Sequence, residues 1–385
     1  MKRIVAPLLG AALLLAACSK DKDVEPPAEL TKYPAKLQVS KIWSEGVGGG
    51  KKQMRLRLGL GPALDGDTVF AASHKGEVIA VALKSGQRRW RKDLKLPLSG
   101  GPAAGFGLVI LGASKGQIVA LDEATGQERW RAHVNGELLS AAALSERVMV
   151  IRSVDGKLHG FDAVSGKELW SVEQQVPRLS LRGTATPVIA RDMAISGFDN
   201  GKVMAVSLNN GDTLWDTALA SPHGKTELER LVDVDSTVQV SGENVYAVAF
   251  QGRVAMLALD SGQIWWAHDM SSYRGLAVRD DTLYVSTAEG AVVALHGRDG
   301  SEVWRNEKLK RRGLSMPAVT DTAVAVADFQ GYLHWLDRGS GELLARERIA
   351  KDRVTNPPVA SDNTVVVLTD GGHLAAFHAG PKART

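Results

Sequence analysis

Histidine is the residue type in this chain best suited to metal binding and proton transfer, but its nine copies are scattered. No two have the spacing of a zinc-binding helix, and the single cysteine offers no second sulfur ligand. His159 and His334 occupy the same position of the repeat described below, which favours packing between repeats over metal binding. The sequence therefore predicts no metal site and no catalytic residue. The histidines are His74, His133, His159, His223, His268, His296, His334, His373 and His378.

Two short segments have the composition of phosphate-binding elements. Residues 46–52 are glycine-rich and end in two lysines, but a phosphate loop would need a glycine at position 45 and a serine or threonine after the lysine. We expect a flexible loop instead. The basic cluster at 308–312 favours a solvated turn over an anion site. The chain has 47 Lys and Arg against 43 Asp and Glu, a net charge of +4, so no nucleic-acid partner is expected.

Cys18 is the only cysteine, and the residues before it have the pattern of an export signal. Lys2 and Arg3 precede an apolar run from Ile4 to Leu15, and small residues follow up to Ala17. The run is too short to span a bilayer. Export implies an oxidising compartment, yet one thiol cannot form a disulfide within the chain. Packing alone must therefore hold the fold together.

The string Leu15-Ala16-Ala17-Cys18 resembles the lipobox of bacterial lipoproteins. In that family the signal is cleaved before the cysteine, whose sulfur and new amine are acylated, so that lipid anchors the protein without a transmembrane helix. Ser19, with no aspartate there, resembles lipoproteins sorted to the outer membrane. We expect a signal peptide over 1–17, a lipidated flexible linker over 18–36 and a location on the periplasmic face. The alternative is an ordinary secretory signal followed by an incidental thiol.

A repeat of about 40 residues runs through the rest of the chain, residues 37–385. Each unit begins with a glycine, has apolar residues two and five positions later, and turns at a Ser/Thr/Asn/Asp-Gly pair. Because residues of both parities are apolar, the strand after the first glycine must be covered on both faces. The first glycines are Gly76, Gly116, Gly156, Gly201, Gly252, Gly290, Gly331 and Gly372.

Tryptophan is concentrated at one position of this repeat, four residues after the turn glycine. A buried indole contributes a large apolar area and needs an acceptor for its N–H. We therefore expect each indole to dock on a neighbouring unit. The seventh unit departs from the pattern, with Ala345 at this position. The others are Trp90, Trp130, Trp170, Trp215, Trp266 and Trp304.

Short strands in a repeat of this length predict an all-β fold, an eight-bladed β-propeller with four-stranded blades. Only eight residues follow Phe377, too few for the turn and last strand of the eighth unit. The segment 39–43 resembles that missing strand, so we expect an N-terminal strand to complete the last blade and close the ring. The alternative is a seven-bladed ring with loose ends, which leaves Leu374 and Phe377 outside any blade.

Two connections between units are longer than the others, one after Trp170 and one after Trp215. They belong to adjacent units and must emerge on the same rim of a ring. Residues 174–183 and 225–235 mix leucines with arginines and carboxylates, a composition typical of protein interfaces. Neighbouring insertions in a repeat protein often form its binding surface. The alternative is that the leucines pack beneath their own loops.

The repeat and the lipobox of this chain resemble those of known families. The repeat is similar to that of pyrroloquinoline-quinone-type propellers, and a lipobox joined to eight blades resembles the outer-membrane protein assembly factor B family, the propeller lipoproteins of the β-barrel assembly machinery. This resemblance covers nearly all of the mature chain. It implies a non-catalytic scaffold without a cofactor that binds the periplasmic domains of the barrel-forming subunit and aids insertion of outer-membrane proteins. Unfolded outer-membrane proteins are a second expected partner class.

The resemblance also implies a set of partner-binding residues. Leu-Ser-Leu-Arg-Gly at 179–183 and Asp-Val-Asp at 233–235 match segments with which that family contacts the barrel-forming subunit. The residues carried over are Leu179, Leu181, Arg182, Asp233 and Asp235.

Two other functions remain open. A periplasmic quinoprotein dehydrogenase would seat pyrroloquinoline quinone over the floor of the ring, with calcium held by acidic side chains. The mature chain has no second cysteine and no extra segments to build such a pocket. A carbohydrate- or cell-wall-binding propeller is the third hypothesis.

Reversing a charge in the inserted loops tests the carried-over residues. We expect Arg182→Glu or Asp233→Lys to abolish co-purification with the barrel-forming subunit while the melting temperature stays unchanged, because both residues lie in insertions outside the repeat. Affinity capture and a thermal melt measure the two quantities. Unchanged capture would remove this surface from consideration.

Overall fold

The strands of this chain form a closed ring of eight blades. The computed structural model describes residues 25–49, 53, 56, 58–181 and 183–381. Each blade is a four-stranded antiparallel sheet, which confirms the all-β, eight-bladed prediction. No helix within the described residues is long and apolar enough to cross a membrane.

Blades 1 to 4 each take four consecutive strands, the first lining the centre of the ring and the fourth lying outermost. Blades 1 and 2 comprise β2 (Ala63–Asp65), β3 (Thr68–Ala72), β4 (Glu77–Ala82), β5 (Arg88–Asp93), β6 (Leu98–Gly105), β7 (Leu108–Ala113), β8 (Gln117–Asp122) and β9 (Glu128–His133). Blades 3 and 4 comprise β10 (Ala143–Leu144), β11 (Val148–Arg152), β12 (Lys157–Asp162), β13 (Glu168–Glu173), β14 (Val188–Ala190), β15 (Met193–Gly197), β16 (Lys202–Ser207) and β17 (Thr213–Ala218).

Blades 5 to 7 continue this order, and blade 8 takes its outermost strand from the start of the chain. Blades 5 and 6 comprise β18 (Gln239–Ser241), β19 (Asn244–Val248), β20 (Arg253–Ala258), β21 (Ile264–Asp269), β22 (Leu276–Arg279), β23 (Thr282–Ser286), β24 (Val292–His296) and β25 (Glu302–Asn306). Blades 7 and 8 comprise β26 (Ala318–Val319), β27 (Ala323–Ala327), β28 (Tyr332–Asp337), β29 (Leu343–Arg348), β30 (Val359–Ser361), β31 (Thr364–Leu368), β32 (His373–Pro381) and β1 (Leu37–Gly46).

Each strand's sequence pattern follows its depth in the blade. The third strand lies between neighbouring blades, so both of its faces are buried, as in β8, where Ile118 to Leu121 are fully covered. The fourth strand has one solvated face. In β9 the indole of Trp130 points inward while Arg129 and Arg131 point to solvent.

The two rims of the ring are built from different connections. Since the strands of a blade alternate in direction, the turns joining third to fourth strands, such as 123–127, share one rim, which we call the turn rim. The connections from each fourth strand to the next blade emerge at the opposite rim, which we call the loop rim. It includes 174–187, 219–238 and 307–317.

The tryptophans at the repeated position dock on the next blade, as predicted. At seven of the eight blade junctions the tryptophan Nε1–H donates to a backbone oxygen in the turn of the next blade, at 2.6 to 3.0 Å. These donor–acceptor pairs are Trp43–Leu83, Trp90–Glu123, Trp130–Ala163, Trp170–Leu208, Trp215–Leu259, Trp266–Gly297 and Trp304–Arg338. The bond satisfies the one polar atom of a largely buried side chain.

Glycine is required where the indole meets the turn. Gly126 has φ +69°, and a Cβ placed on it would lie 2.8 Å from Cδ2 of Trp90. Both the left-handed backbone and the contact exclude a side chain there. The same pairing recurs at Gly166, where a Cβ would lie 2.5 Å from Trp130. Turn glycine and tryptophan are therefore two halves of one contact.

The eighth junction, between blades 7 and 8, is built differently. Blade 8 joins its third strand β32 to β1, from the other end of the chain, with Leu37 opposite Pro381 and Gly46 opposite His373. No turn links these two strands, so a tryptophan at Ala345 would have no turn glycine to dock on. The ring of Trp335 instead packs edge-on against Phe377, 6.1 Å between centroids.

The basic cluster at 308–312 is only partly a solvated turn. Arg312 is buried, and its Nε donates to Asp328 Oδ2 at 2.8 Å, so the expectation of a solvated turn is wrong for this residue. His334 lies 3.0 Å from the same carboxylate, and burial lowers its pKa. His159 and His334 are both buried, as their repeat position predicts.

The indole contact gives a direct test of what holds the blades together. Trp130→Ala removes a buried ring and leaves the Ala163 carbonyl without its donor, and we expect a loss of about 3–5 kcal/mol in the free energy of unfolding. Trp265, exposed on the outer strand β21, is the matched control. Trp265→Ala should cost less than about 1 kcal/mol. Urea denaturation of both variants makes the comparison, and equal losses would contradict the docking role.

Candidate functional site

The structure places four of the six predicted site residues, in two neighbouring connections of the loop rim. Leu179 and Leu181 lie between β13 and β14, and Asp233 and Asp235 lie between β17 and β18. Cys18 and Arg182 lie outside the described residues. The two insertions share one rim, as the repeat geometry predicts.

The two connections meet at three of these residues. The backbone N–H of Leu181 donates to Asp233 Oδ2 at 3.3 Å. Two residues further along, a Cβ on Gly183 would lie 2.1 Å from Asp235 Oδ2, so only glycine allows this approach. Leu179 does not join this contact, and its side chain is 42% exposed.

The Asp-Val-Asp segment is fixed by its backbone and by the valines beside its carboxylates. The Phe250 N–H donates to the backbone oxygen of Asp233 at 2.7 Å, and the Val234 N–H donates to the backbone oxygen of Phe198 at 3.1 Å. Val232 and Val234 are buried in the core between blades 4 and 5. Since neighbouring side chains of an extended segment alternate in direction, Asp233 points away from that core.

Asp233 is nevertheless not a surface residue, because its side chain is 1% exposed. Burial, with the charges of Asp235 and Asp199, raises the pKa of Asp233 to about 9. Burial also raises the pKa of Asp235 to about 7, against the charges of Arg152 and Arg274. At neutral pH Asp233 is therefore a protonated carboxylic acid. The expectation that Asp233→Lys leaves the melting temperature unchanged is wrong, since it puts a cation at a buried position.

A buried ion pair lies beneath this segment and was not found from the sequence. Arg152, at the end of β11, is fully buried, pairs with Asp199 and lies 4.7 Å over the ring of Phe198. The equivalent strand end carries small or apolar residues in the other blades, for example Ala72 and Val248. A charged residue at a repeat position that is otherwise small or apolar is the sequence feature that could have indicated this buried ion pair.

The centre of the ring opens beside the two connections. A cavity of about 570 Å³ is lined by Leu181, Gly183, Asp235, Phe250 and Arg274, together with connections from the other blades. Arg274 extends across it, and its Nη1 donates to the Thr355 oxygen at 3.0 Å. Asp235, which is partly exposed, therefore lines this cavity, whereas the buried Asp233 does not.

The second insertion also presents an exposed apolar residue on a fixed turn. Glu229 Oε2 accepts from the N–H groups of Lys225 and Thr226 at 2.8 and 3.0 Å, and Thr226 Oγ1 accepts from Glu229 N–H at 3.2 Å. This reciprocal capping box fixes the turn and lowers the pKa of Glu229. Leu228 within the turn is 70% exposed.

The raised pKa of Asp233 predicts a pH dependence of stability. Between the unfolded value of about 4 and the folded value of about 9, the folded chain holds a proton that the unfolded chain has released, so stability falls as pH rises through this window. Asp233→Asn mimics the protonated acid, and its melting temperature should fall less between about pH 5 and pH 8 than that of the unchanged chain. Thermal melts at several pH values measure both slopes.

An exposed carboxylate in the neighbouring blade provides the control. Asp260→Asn should keep the slope of the unchanged chain, because Asp260 is solvated. Asp233→Lys should lower the melting temperature at every pH in the window. Equal slopes for the unchanged chain and Asp233→Asn would show that Asp233 titrates as a solvated acid.

Comparison with known proteins identifies this architecture. A family model described as outer membrane protein assembly factor BamB matches residues 37–97, 74–306 and 288–381. BamB of Pseudomonas aeruginosa is 47% identical over 373 residues, 97% of this chain and 98% of the relative. BamB of Kangiella koreensis is 41% identical over 367 residues, 95% of this chain and 94% of the relative.

Solved structures agree on the fold. The crystal structure of BamB from Moraxella catarrhalis has a TM-score of 0.80 and 25% identity, covering 89% of this chain and 100% of that one. A europium-containing methanol dehydrogenase has a TM-score of 0.71 at 13% identity, covering 88% of this chain and 93% of its own, which is a likeness of fold alone. The relatives and the family model together span nearly the whole sequence, and the chain belongs to the outer membrane protein assembly factor BamB family.

Proposed function

We propose that this chain is a non-catalytic scaffold of outer-membrane protein assembly, which binds the periplasmic domains of the barrel-forming subunit and aids insertion of outer-membrane proteins. The observation that carries the proposal is the 47% identity, over nearly the full length of both chains, with a relative named as an outer membrane protein assembly factor. An acylated Cys18 would hold the ring at the periplasmic face of that membrane.

The loop rim supplies a suitable binding surface. Residues 221–230 are exposed throughout and carry both signs of charge around Leu228, while Leu179 projects from the neighbouring connection. Exposed leucines within a charged rim supply the apolar anchors and polar surround of a protein interface. The contact of Leu181 with Asp233 fixes the two connections relative to each other, so the surface is organised before a partner arrives.

The roles within this surface divide by burial. Leu179 is exposed and available for direct contact, whereas Asp233 is buried and acts by positioning Leu181. Arg182 remains a proposed contact residue. Charge on Asp233 is therefore not part of the recognition.

The dehydrogenase alternative has only the fold in its favour. A methanol dehydrogenase and a quinohemoprotein alcohol dehydrogenase from Comamonas testosteroni share the propeller at 13% and 12% identity. Propellers of this kind serve unrelated functions, so the shared fold carries no activity.

The chain offers a matched pair of leucines for testing the binding surface. Leu179 on the loop rim is 42% exposed, and Leu169 on the outer strand β13 is 47% exposed. Leu179→Glu should reduce capture of the barrel-forming subunit at least about tenfold, because it places a charge at an apolar anchor. Leu169→Glu should leave capture unchanged. Pull-down from detergent-solubilised membranes, with mass spectrometry of the bound proteins, measures both.

Thermal melts of the two variants control for folding, and both should match the unchanged chain since each side chain is solvated. Equal capture of the barrel-forming subunit by both variants would show that Leu179 is not part of the binding surface. A pull-down that recovers no subunit of the assembly machinery with the unchanged chain would overturn the proposed function itself.

A further inference from the structure

Residues 25–36, which precede β1, lie along the outside of blade 7 and are fixed at both rims. At the loop rim, Arg311 pairs with Glu25 at 2.6 Å and also donates to the Glu25 backbone oxygen at 2.9 Å. The Ala28 N–H donates to the Lys310 oxygen at 3.0 Å, and Arg312 Nη1 donates to the Ala28 oxygen at 2.9 Å. Side-chain and backbone bonds thus hold this end to the connection 307–317.

The other end of the segment is fixed at the turn rim. The Lys36 N–H donates to the Leu344 oxygen at 2.7 Å, and its Nζ pairs with Glu342 at 2.6 Å. Glu342 lies in the turn between β28 and β29. The segment therefore crosses the blade from the loop rim to the turn rim before β1 returns in the opposite direction.

Apolar contacts hold the middle of the segment. Leu30 and Tyr33 pack against the core between blades 6 and 7. The Arg346 guanidinium lies 5.6 Å from the centroid of the Tyr33 ring, and burial raises the pKa of this tyrosine. These contacts bury apolar area along the middle of the segment, and this burial favours the docked position in solution.

The outer strand of blade 7 differs from those of the other blades at the place where residues 25–36 lie on it. In other blades the residue before the docking tryptophan is exposed, as Leu169, Leu214 and Trp265 are. The equivalent residue of blade 7, Leu344, is buried, and its oxygen accepts the bond from Lys36.

We propose that residues 25–36 are a strap that makes the lipid anchor leave the ring at its loop rim, so that the proposed docking surface is held toward the membrane. This inference rests on the proposed acylation of Cys18. The connections 174–187 and 219–238 leave the same rim as Glu25, three and two blade junctions away around the ring. The strap thus couples the anchor and the docking surface to a single face.

Chain length gives the strap its effect. From Cys18 to Glu25 a fully extended chain reaches at most about 25 Å, whereas from Cys18 to Leu37 it would reach about 65 Å. Strands of five to six residues set the rims about 20 Å apart. The short tether exceeds the distance between the rims by only about 5 Å, so the turn rim could face the membrane only with this tether almost fully extended, whereas the long tether would allow either rim to approach.

Two exposed lysines of blade 1 provide matched reporters. Lys75 lies at the loop rim, and Lys84 lies at the turn rim, at opposite ends of β4. Because the mature chain's only cysteine is Cys18, Lys75→Cys or Lys84→Cys introduces a single free thiol in the acylated protein. Each full-length variant is labelled with a fluorophore and inserted into phosphatidylethanolamine–phosphatidylglycerol vesicles that contain an acceptor lipid. Energy transfer to the membrane should be at least about twofold greater from position 75 than from position 84.

Breaking the strap should remove this difference. Leu30→Ser with Tyr33→Ser deletes the apolar contacts, and transfer from the two positions should become equal. Glu29→Ser with Lys32→Ser changes exposed residues of the same segment and should keep the difference. Hydrogen exchange supplies a second readout: the Ala28 and Lys36 amides should be protected in the unchanged chain and lose protection only in the first double variant.

Equal transfer from positions 75 and 84 in the unchanged chain, greater transfer from position 84, or unprotected amides at Ala28 and Lys36 would overturn the strap. These results are separate from the pull-down. A chain that captures the barrel-forming subunit but shows equal transfer has the proposed function without the strap. A chain that shows unequal transfer and captures no partner has the strap without the function.

Discussion

The docking of an indole from one blade on the glycine turn of the next is the contact on which this ring depends. A single four-stranded blade leaves both of its faces apolar, and no disulfide is available within the chain to hold neighbours together. The tryptophan supplies buried area, and its N–H to the turn carbonyl fixes the angle at which the blades meet. Seven repetitions of one geometry leave little freedom for the eighth junction.

That eighth junction explains where the repeat fails. Blade 8 is closed by strands from the two ends of the chain, so it has no turn glycine to receive a tryptophan from blade 7. Ala345 stands in the tryptophan position, and Trp335 fills the space from the neighbouring strand. On the outer side of the same strand as Ala345, Leu344 is buried, and residues 25–36 lie there. The missing tryptophan at position 345 therefore follows from the way the two ends of the chain close the ring.

Periodicity determines how much of this molecule is predictable from sequence. The blades, the indole contacts and the rim of the two insertions all follow from residues that recur at fixed spacing. The depth of Asp233 does not, because its burial is set by how two non-repeating connections pack on each other. The docked position of residues 25–36 was equally hidden, since their charged and proline-rich composition is that of a linker. Arg152 was detectable in principle, as a charged residue in a small or apolar column.

The same contact also decides which rim is available for function. The seven docked indoles each contact a turn between third and fourth strands, so lengthening one of these turns would disturb a blade junction. Connections from one blade to the next lie at the opposite rim and carry no such constraint. They can grow without changing how the blades meet. Both insertions, the central cavity lining and the proposed exit of the lipid anchor lie on that rim. This difference between the two rims follows from packing alone, because the turns of the turn rim form the contacts between blades that close the ring.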